Sequence, residues 1–201
     1  MKEIVAIDAD DVLFDENEHM RIFQNQQYGV EHSTADYLVD GEYWGYWERI
    51  WGVSDEEGNQ RFTAYVEYKM RHHSEPIPGA LEELERRKDD YHFVLNTARP
   101  GDAFEVTKEA LARFYPGIFA DVHFIALWGS PQKVTKAEVC LAIGARHLID
   151  DGFEHTSLAA DAGIDAMLYG DLGWNRWQPL RLGMTRVRNW RDVGAHLDAQ
   201  R

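Results

Sequence analysis

The chain has 201 residues, 44% apolar and 28% charged, which suits a soluble globular core with room for an insertion and excludes a disordered polypeptide. Its 35 acidic and 21 basic side chains give a formal charge of −14, which opposes a broad grip on DNA, RNA or anionic lipid, since such affinity comes from clustered cations. A single cysteine, Cys140, excludes an internal disulfide and a cysteine-built zinc site. No segment approaches the roughly 20 apolar residues of a membrane span, and the N-terminus lacks the basic and apolar regions of a secretion signal, so the expected compartment is the cytoplasm.

The first predicted element is the strand in IVAIDADDVLF, whose apolar run stops at Asp8, Asp10 and Asp11. Acids this close repel unless a cation or a proton relieves them, so this is either a solvated turn or a metal site. From about Asp15 to Glu75 no convincing strand is found. The interval is rich in aromatics, and HMRIFQNQQYG and NQRFTAYVEYKMRHH carry helical spacing. Its exit is PIPGA, where Pro76 and Pro78 restrict the backbone ahead of the next helix. Beyond it, helical patterns and β-prone runs alternate: GALEELERRKDD, YHFVLNT, DAFEVTKEALARFY, VHFIAL, KVTKAEVCLAIGA, RHLIDD, EHTSLAADAG and IDAMLYG. Cys140 falls in one of these helices and reads as a core residue. The alternation predicts an α/β fold, a parallel sheet covered by helices. Ligands bind such sheets at the carboxyl ends of the strands, where Asp8, Thr97 and Asp150 fall.

Several candidates admit two readings. Thr97 suits a phosphoryl oxygen or an ordinary helix N-cap, and Arg99 suits a phosphate or a neighbouring acid. Lys133 lies one helical turn before Lys136 and reaches the same region; the distance to the acidic pair favours Lys136. Asp151 either joins Asp150 or caps a turn. Trp44 and Trp47 are three apart and share a helical face, where they are either core or a stacking platform. His72 and His73 read as solvated or capping residues. In the tail, Trp174, Trp177 and Trp190 read as sealing a sheet edge, with the nearby arginines paired to acids rather than to nucleic acid.

Taken in chain order, Asp8 and Asp10, then Thr97, then Lys136, then Asp150 with Asp151 resemble the four motifs of the haloacid dehalogenase superfamily, most of whose members are magnesium-dependent phosphatases. The resemblance covers residues 1–15 and 76–170. It implies a Rossmann-like core of residues 1–15 and 76–201, with 16–75 as a helical cap of the type called C1. It also implies roles: Asp8 as nucleophile, Asp10 as proton donor and acceptor, Thr97 and Lys136 on the phosphoryl oxygens, and Asp8, Asp10, Asp150 and Asp151 around Mg²⁺, Asp10 through its backbone carbonyl. Arg99, Lys133, Trp44 and Trp47 are the candidate substrate contacts. Many members of the superfamily carry glycine where this chain has Asp11. The dehalogenases lack the second acid, so Asp10 favours phosphatase chemistry.

A looser resemblance to the 5'(3')-deoxyribonucleotidase-like family rests on DADDVLFDEN, on PIPGALEELERRKDDYHFVLNTARP, on KAEVCLAIGARHLIDD and on YGDLGWN. It implies a small phosphorylated metabolite, a nucleoside monophosphate in the first instance. A sugar phosphate or a non-catalytic phosphate ligand is the alternative, and the assembly expected is a monomer or homodimer.

Overall fold

The computed structural model describes residues 2–41, 45–125 and 134–200. Six strands form one parallel sheet: β1 (Glu3–Ile7), β2 (Tyr91–Thr97), β3 (Phe119–Phe124), β4 (Ala145–Asp150), β5 (Asp165–Tyr169) and β6 (Met184–Val187), in the order β3-β2-β1-β4-β5-β6. Eight α-helices accompany them among the described residues: α1 (Glu16–Tyr28), α2 (Tyr46–Trp51), α3 (Asp55–Lys69), α4 (Ala80–Arg87), α5 (Phe104–Phe114), α6 (Lys136–Ile143), α7 (Phe153–Asp161) and α8 (Trp190–Ala199). None of them is long and apolar enough to cross a membrane.

The inner strands carry apolar runs because both faces of the sheet are covered. Val5, Ile7, Phe93, Leu95, Ile149 and Met167 point to one side, where they pack with Leu84 of α4, Leu111 of α5 and Trp190, Val193 and Leu197 of α8. The residues between them, Ala6, Val94, Leu148, Ala166 and Leu168, meet Ala137 and Cys140 of α6 and Ala159 of α7. Cys140 is fully buried, as its helical pattern predicts. Since strand order reverses on either side of β1, the carboxyl ends of β1 and β4 flank the switch point where doubly wound sheets bind ligands.

Two tail elements were not expected. β6 is four residues long and carries a charge, Arg186, so it lacks the apolar run that marks the other strands. The Arg186 guanidinium spends its donors on the carbonyls of Gly170, Asn175 and Gln178 rather than on acids. α8 shows its periodicity in Trp190, Val193 and Leu197 and is capped by Asn189, whose side chain accepts from Asp192 N.

Residues 16–75 contain helices and no strand among those described. Their two ends lie side by side, with Asp15 N donating to Glu75 O at 2.9 Å and Phe14 bridged to Pro76. This is the geometry of an insertion that leaves and returns at one place. The helices enclose their own apolar cluster of Met20, Phe23, Tyr37, Trp47, Trp51 and Tyr65, joined by Trp174 from the loop after β5.

Candidate active site

The loop after β1 is held from below. Leu13 N and Phe14 N both donate to Ala9 O, closing a tight turn. Trp190 donates its indole N–H to Val12 O at 2.8 Å and Tyr115 its hydroxyl to Leu13 O at 2.6 Å. Asp11 sits at φ 57°, the left-handed region where a Cβ is unfavourable and glycine is the default, though aspartate tolerates it better than most residues. Its carboxylate accepts from Asn17 N at 2.8 Å, tying the turn to the start of α1. The departure from glycine at this position therefore keeps the backbone conformation and adds an anchor.

Above this turn, Asp8 N donates to Ile149 O at 3.0 Å, which sets Asp8 beside Asp150 at the ends of neighbouring strands. Lys136 is the first residue of α6, whose start is fixed by a capping box between Thr135 and Glu138. Its ammonium lies 2.8 Å from Asp8 Oδ1 and 2.6 Å from Asp150 Oδ2 and is 1% exposed. Asp151 completes the group: oxygens of Asp8, Asp150 and Asp151 all lie within 4.8 Å of one another.

One ammonium does not balance these acids in a buried site. Burial pushes the Asp8 carboxyl from its ordinary 3.8 up to about 7; Lys136 opposes the shift and Asp150 and Asp10 add to it. Burial and then Asp150 and Asp8 raise Asp151 as well. Burial works against the charge of Lys136, but Asp150 and Asp8 more than offset it and hold the ammonium above its usual range. A cluster of buried carboxylate oxygens with excess negative charge is the donor set a hard divalent cation takes, so these residues fit magnesium.

The side chain of Asp10 turns away from this cluster. Arg99 donates to its Oδ1 through Nε at 3.0 Å and through Nη2 as well, and Lys69 at the end of α3 lies 3.4 Å from Oδ2. Burial alone would raise the Asp10 carboxyl, but Arg99 and then Lys69 overcome it and hold it below the usual carboxylate range. Lys69 also binds Glu16, whose second oxygen accepts from Ser74. Arg99 lies over the Phe14 ring and donates to Thr107 Oγ1 at 3.1 Å. Its partner is thus an acid of the site itself. Thr97 is 1% exposed at the end of β2, and its hydroxyl accepts from Arg99 N at 3.2 Å, fixing the turn rather than capping a helix.

Not every expected contact gathers here. Trp47 is buried against Phe62 and Trp174 and donates to Asn17 Oδ1 at 3.3 Å, which supports packing over a stacking platform. Trp44 and Lys133 lie outside the described residues. His72 stacks on Tyr68 with ring centroids 4.0 Å apart. The tail tryptophans do not form one seal: Trp190 is core, Trp177 is half-exposed, and Trp174 donates its indole N–H to Asp151 Oδ2 at 2.8 Å. Lys69, Glu16, Ser74 and Trp174 were missed. The available signal was Lys69 closing the last helical pattern before the chain returns through PIPGA, and Glu16 following the acidic turn.

This architecture is the α/β, Rossmann-like fold of the haloacid dehalogenase superfamily. A haloacid dehalogenase-like hydrolase from Streptococcus pneumoniae has 14% identity over 98% of each chain at a TM-score of 0.63. A protein from Lactobacillus delbrueckii subsp. bulgaricus named for phosphoglycolate phosphatase activity has 14% identity at 0.66, covering 98% of this chain and 99% of its own. A hydrolase of the superfamily from Bacillus subtilis, bound to magnesium, has 12% identity at 0.61 over 98% of this chain and 99% of its own. No family model and no curated protein matches the chain.

Proposed function

We propose that the protein is a magnesium-dependent phosphomonoesterase that works through a phosphorylated Asp8, with residues 16–75 serving as a helical cap over the site. The observation that carries this reading is Lys136 bridging Asp8 and Asp150 inside the carboxylate cluster, with Asp10 held two residues away by its own pair of cations. Asp8, Asp150, Asp151 and the Asp10 backbone carbonyl would hold Mg²⁺, which supplies positive charge against the phosphoryl oxygens. A carboxylate oxygen of Asp8 attacks phosphorus, the bond to the ester oxygen breaks, and Asp10 gives that oxygen its proton. Water then attacks the phosphorylated Asp8, Asp10 takes a proton from the water, and phosphate leaves with the Asp8 carboxylate restored. Arg99 and Lys69 keep Asp10 ionised in the free protein. The anionic substrate draws those cations to itself, and Asp10 can then carry the proton that the first step needs. Lys136 and Thr97 orient the phosphoryl oxygens.

On substrate, the burial of Trp47 removes one support from the nucleotidase reading. Neighbours from Lactobacillus delbrueckii and Haemophilus somnus carry phosphoglycolate phosphatase names, in line with a small-metabolite phosphatase. Phosphate release from a panel of short-chain and sugar phosphates and nucleoside monophosphates, with magnesium or EDTA, tests the reading. Magnesium-dependent turnover with short esters ahead of nucleotides is expected; nucleotides ahead would restore the nucleotidase reading, and no release from any ester would favour the binding protein.

The acid cluster also sets a pH dependence. Because the Asp8 carboxyl is raised in the folded protein, its contribution to stability is fully present below about pH 4 and is lost as pH rises through about 7. Magnesium binds the ionised form and reverses that loss. In thermal melts the gain in Tm on adding magnesium is therefore expected to be larger at pH 8 than at pH 5, where protons compete for the same oxygens. Equal gains at both pH values would separate the cation from Asp8.

A further inference from the structure

The segment 171–178 after β5 is a strap with two sets of attachments. On the site side, Trp174 donates its indole N–H to Asp151 Oδ2 at 2.8 Å, and Asn175 Nδ2 donates to Asp151 O at 2.9 Å and to Tyr169 O at 2.8 Å. On the side of the helical insertion, Gly41 N donates to Gly173 O at 2.9 Å, Trp177 donates to Gly41 O at 3.1 Å, and Arg176 pairs with Asp40. The Trp174 ring joins the two sides directly. It is 3% exposed within the apolar cluster of the insertion, its centroid 6.0 Å from that of Trp47, and Trp47 in turn donates to Asn17 of α1.

We infer that Trp174 is a positioning residue that orients Asp151 toward the cation and couples cation binding to the packing of the helical insertion. An indole N–H is a donor only, so it favours the ionised carboxylate of Asp151 and occupies Oδ2, leaving Oδ1 the freer oxygen for a ligand. The ring has no freedom to follow a rotating carboxylate, because Trp47 and the cluster hold it. A shift of α2 relative to the sheet therefore moves the donor of Asp151, and a cation that fixes Asp151 fixes α2 in return; the coupling is reciprocal by linkage.

The inference rests on the reading of Asp8, Asp150 and Asp151 as a magnesium site, and the experiment separates the two. Magnesium binding is measured by calorimetry on the metal-free wild type and on Trp174→Phe, which keeps a ring against Trp47 and deletes the N–H. The expected result is a Kd weakened about 10-fold or more in the variant, with its loss of turnover recovered at high magnesium. A purely structural role would lower the Tm and leave Kd unchanged, and that outcome overturns the inference while sparing the site. No magnesium binding by the wild type overturns both. Hydrogen exchange on the wild type alone gives a second measurement that does not depend on the variant folding. Magnesium is expected to slow exchange in residues 45–52 more than in α4, and equal effects on the two would overturn the coupling.

Discussion

Asp8→Asn is expected to abolish phosphate release, by about 10³-fold or more, without unfolding the protein. The amide oxygen of asparagine is a poor nucleophile, so no phosphorylated intermediate forms even if the ester binds in place. The protein should tolerate the change because it removes a charge that burial disfavours: the Asp8 carboxyl already stands at about 7, and an amide oxygen can still accept from Lys136 at the 2.8 Å position. Melting in EDTA at pH 8 is the control, and the variant should melt at or above the wild-type temperature. A phosphate analogue should still bind. Residual turnover above a tenth of wild type would remove Asp8 as the nucleophile, and a large drop in Tm would make the loss of activity uninformative.

The legible part of this protein is what charge and strand periodicity announce together. Asp8, Thr97 and Asp150 each terminate an apolar run, and a sheet buried on both faces makes such runs easy to find. The distance to the acidic pair favoured Lys136 over Lys133; the ammonium of Lys136 lies between Asp8 and Asp150, and Lys133 falls outside the described residues. Less legible were groups whose role depends on where a helix ends in space. Lys69 and Glu16 are 53 residues apart and meet only because the insertion returns to where it began. Within NQRFTAYVEYKMRHH the residue pattern is the same for a lysine that reaches Asp10 and one that faces solvent, so the one signal was the place of Lys69 at the end of the pattern, just before the chain returns through PIPGA. β6 was missed because a short edge strand with an arginine has no apolar run, and Trp174 was misplaced because an indole bound to a carboxylate and an indole sealing an edge have the same sequence signature. Asp11 is the converse case. Its departure from glycine stood out in the sequence, and the positive φ explains both the usual residue and why aspartate can replace it.

The two groups of charges in the site balance differently, and this bears on how it works. Asp10 and Glu16 are matched by Arg99 and Lys69, so those two acids are paired without any ligand. Among the described residues, Asp8, Asp150 and Asp151 share the single ammonium of Lys136. Under the proposed function a divalent cation would serve one side and the anionic substrate would compete for cations on the other, which orders the demands: the cluster around Asp8 would be neutralised before a phosphoryl group approaches it.

That asymmetry makes Lys136→Met a strongly destabilising change for the metal-free fold. The side chain is 1% exposed and bonded to two buried carboxylates, so its removal leaves them facing Asp151 with no paired cation among the described residues. Breaking a buried ion pair from one side costs about 3–5 kcal/mol, because the remaining charge keeps its desolvation penalty and loses its partner. For a chain of this length the Tm in EDTA should fall by roughly 6–20 °C. Magnesium should recover part of that loss, since it neutralises the same oxygens, whereas turnover should stay about 10²–10³-fold down because the phosphoryl group still lacks its ammonium. Lys136→Arg should not restore turnover, as a planar guanidinium cannot place one donor on each acid in a space that a slim ammonium fills. An unchanged Tm in EDTA for Lys136→Met would show that the acids are protonated rather than held by the lysine, and the charge balance drawn for the site would have to be reversed.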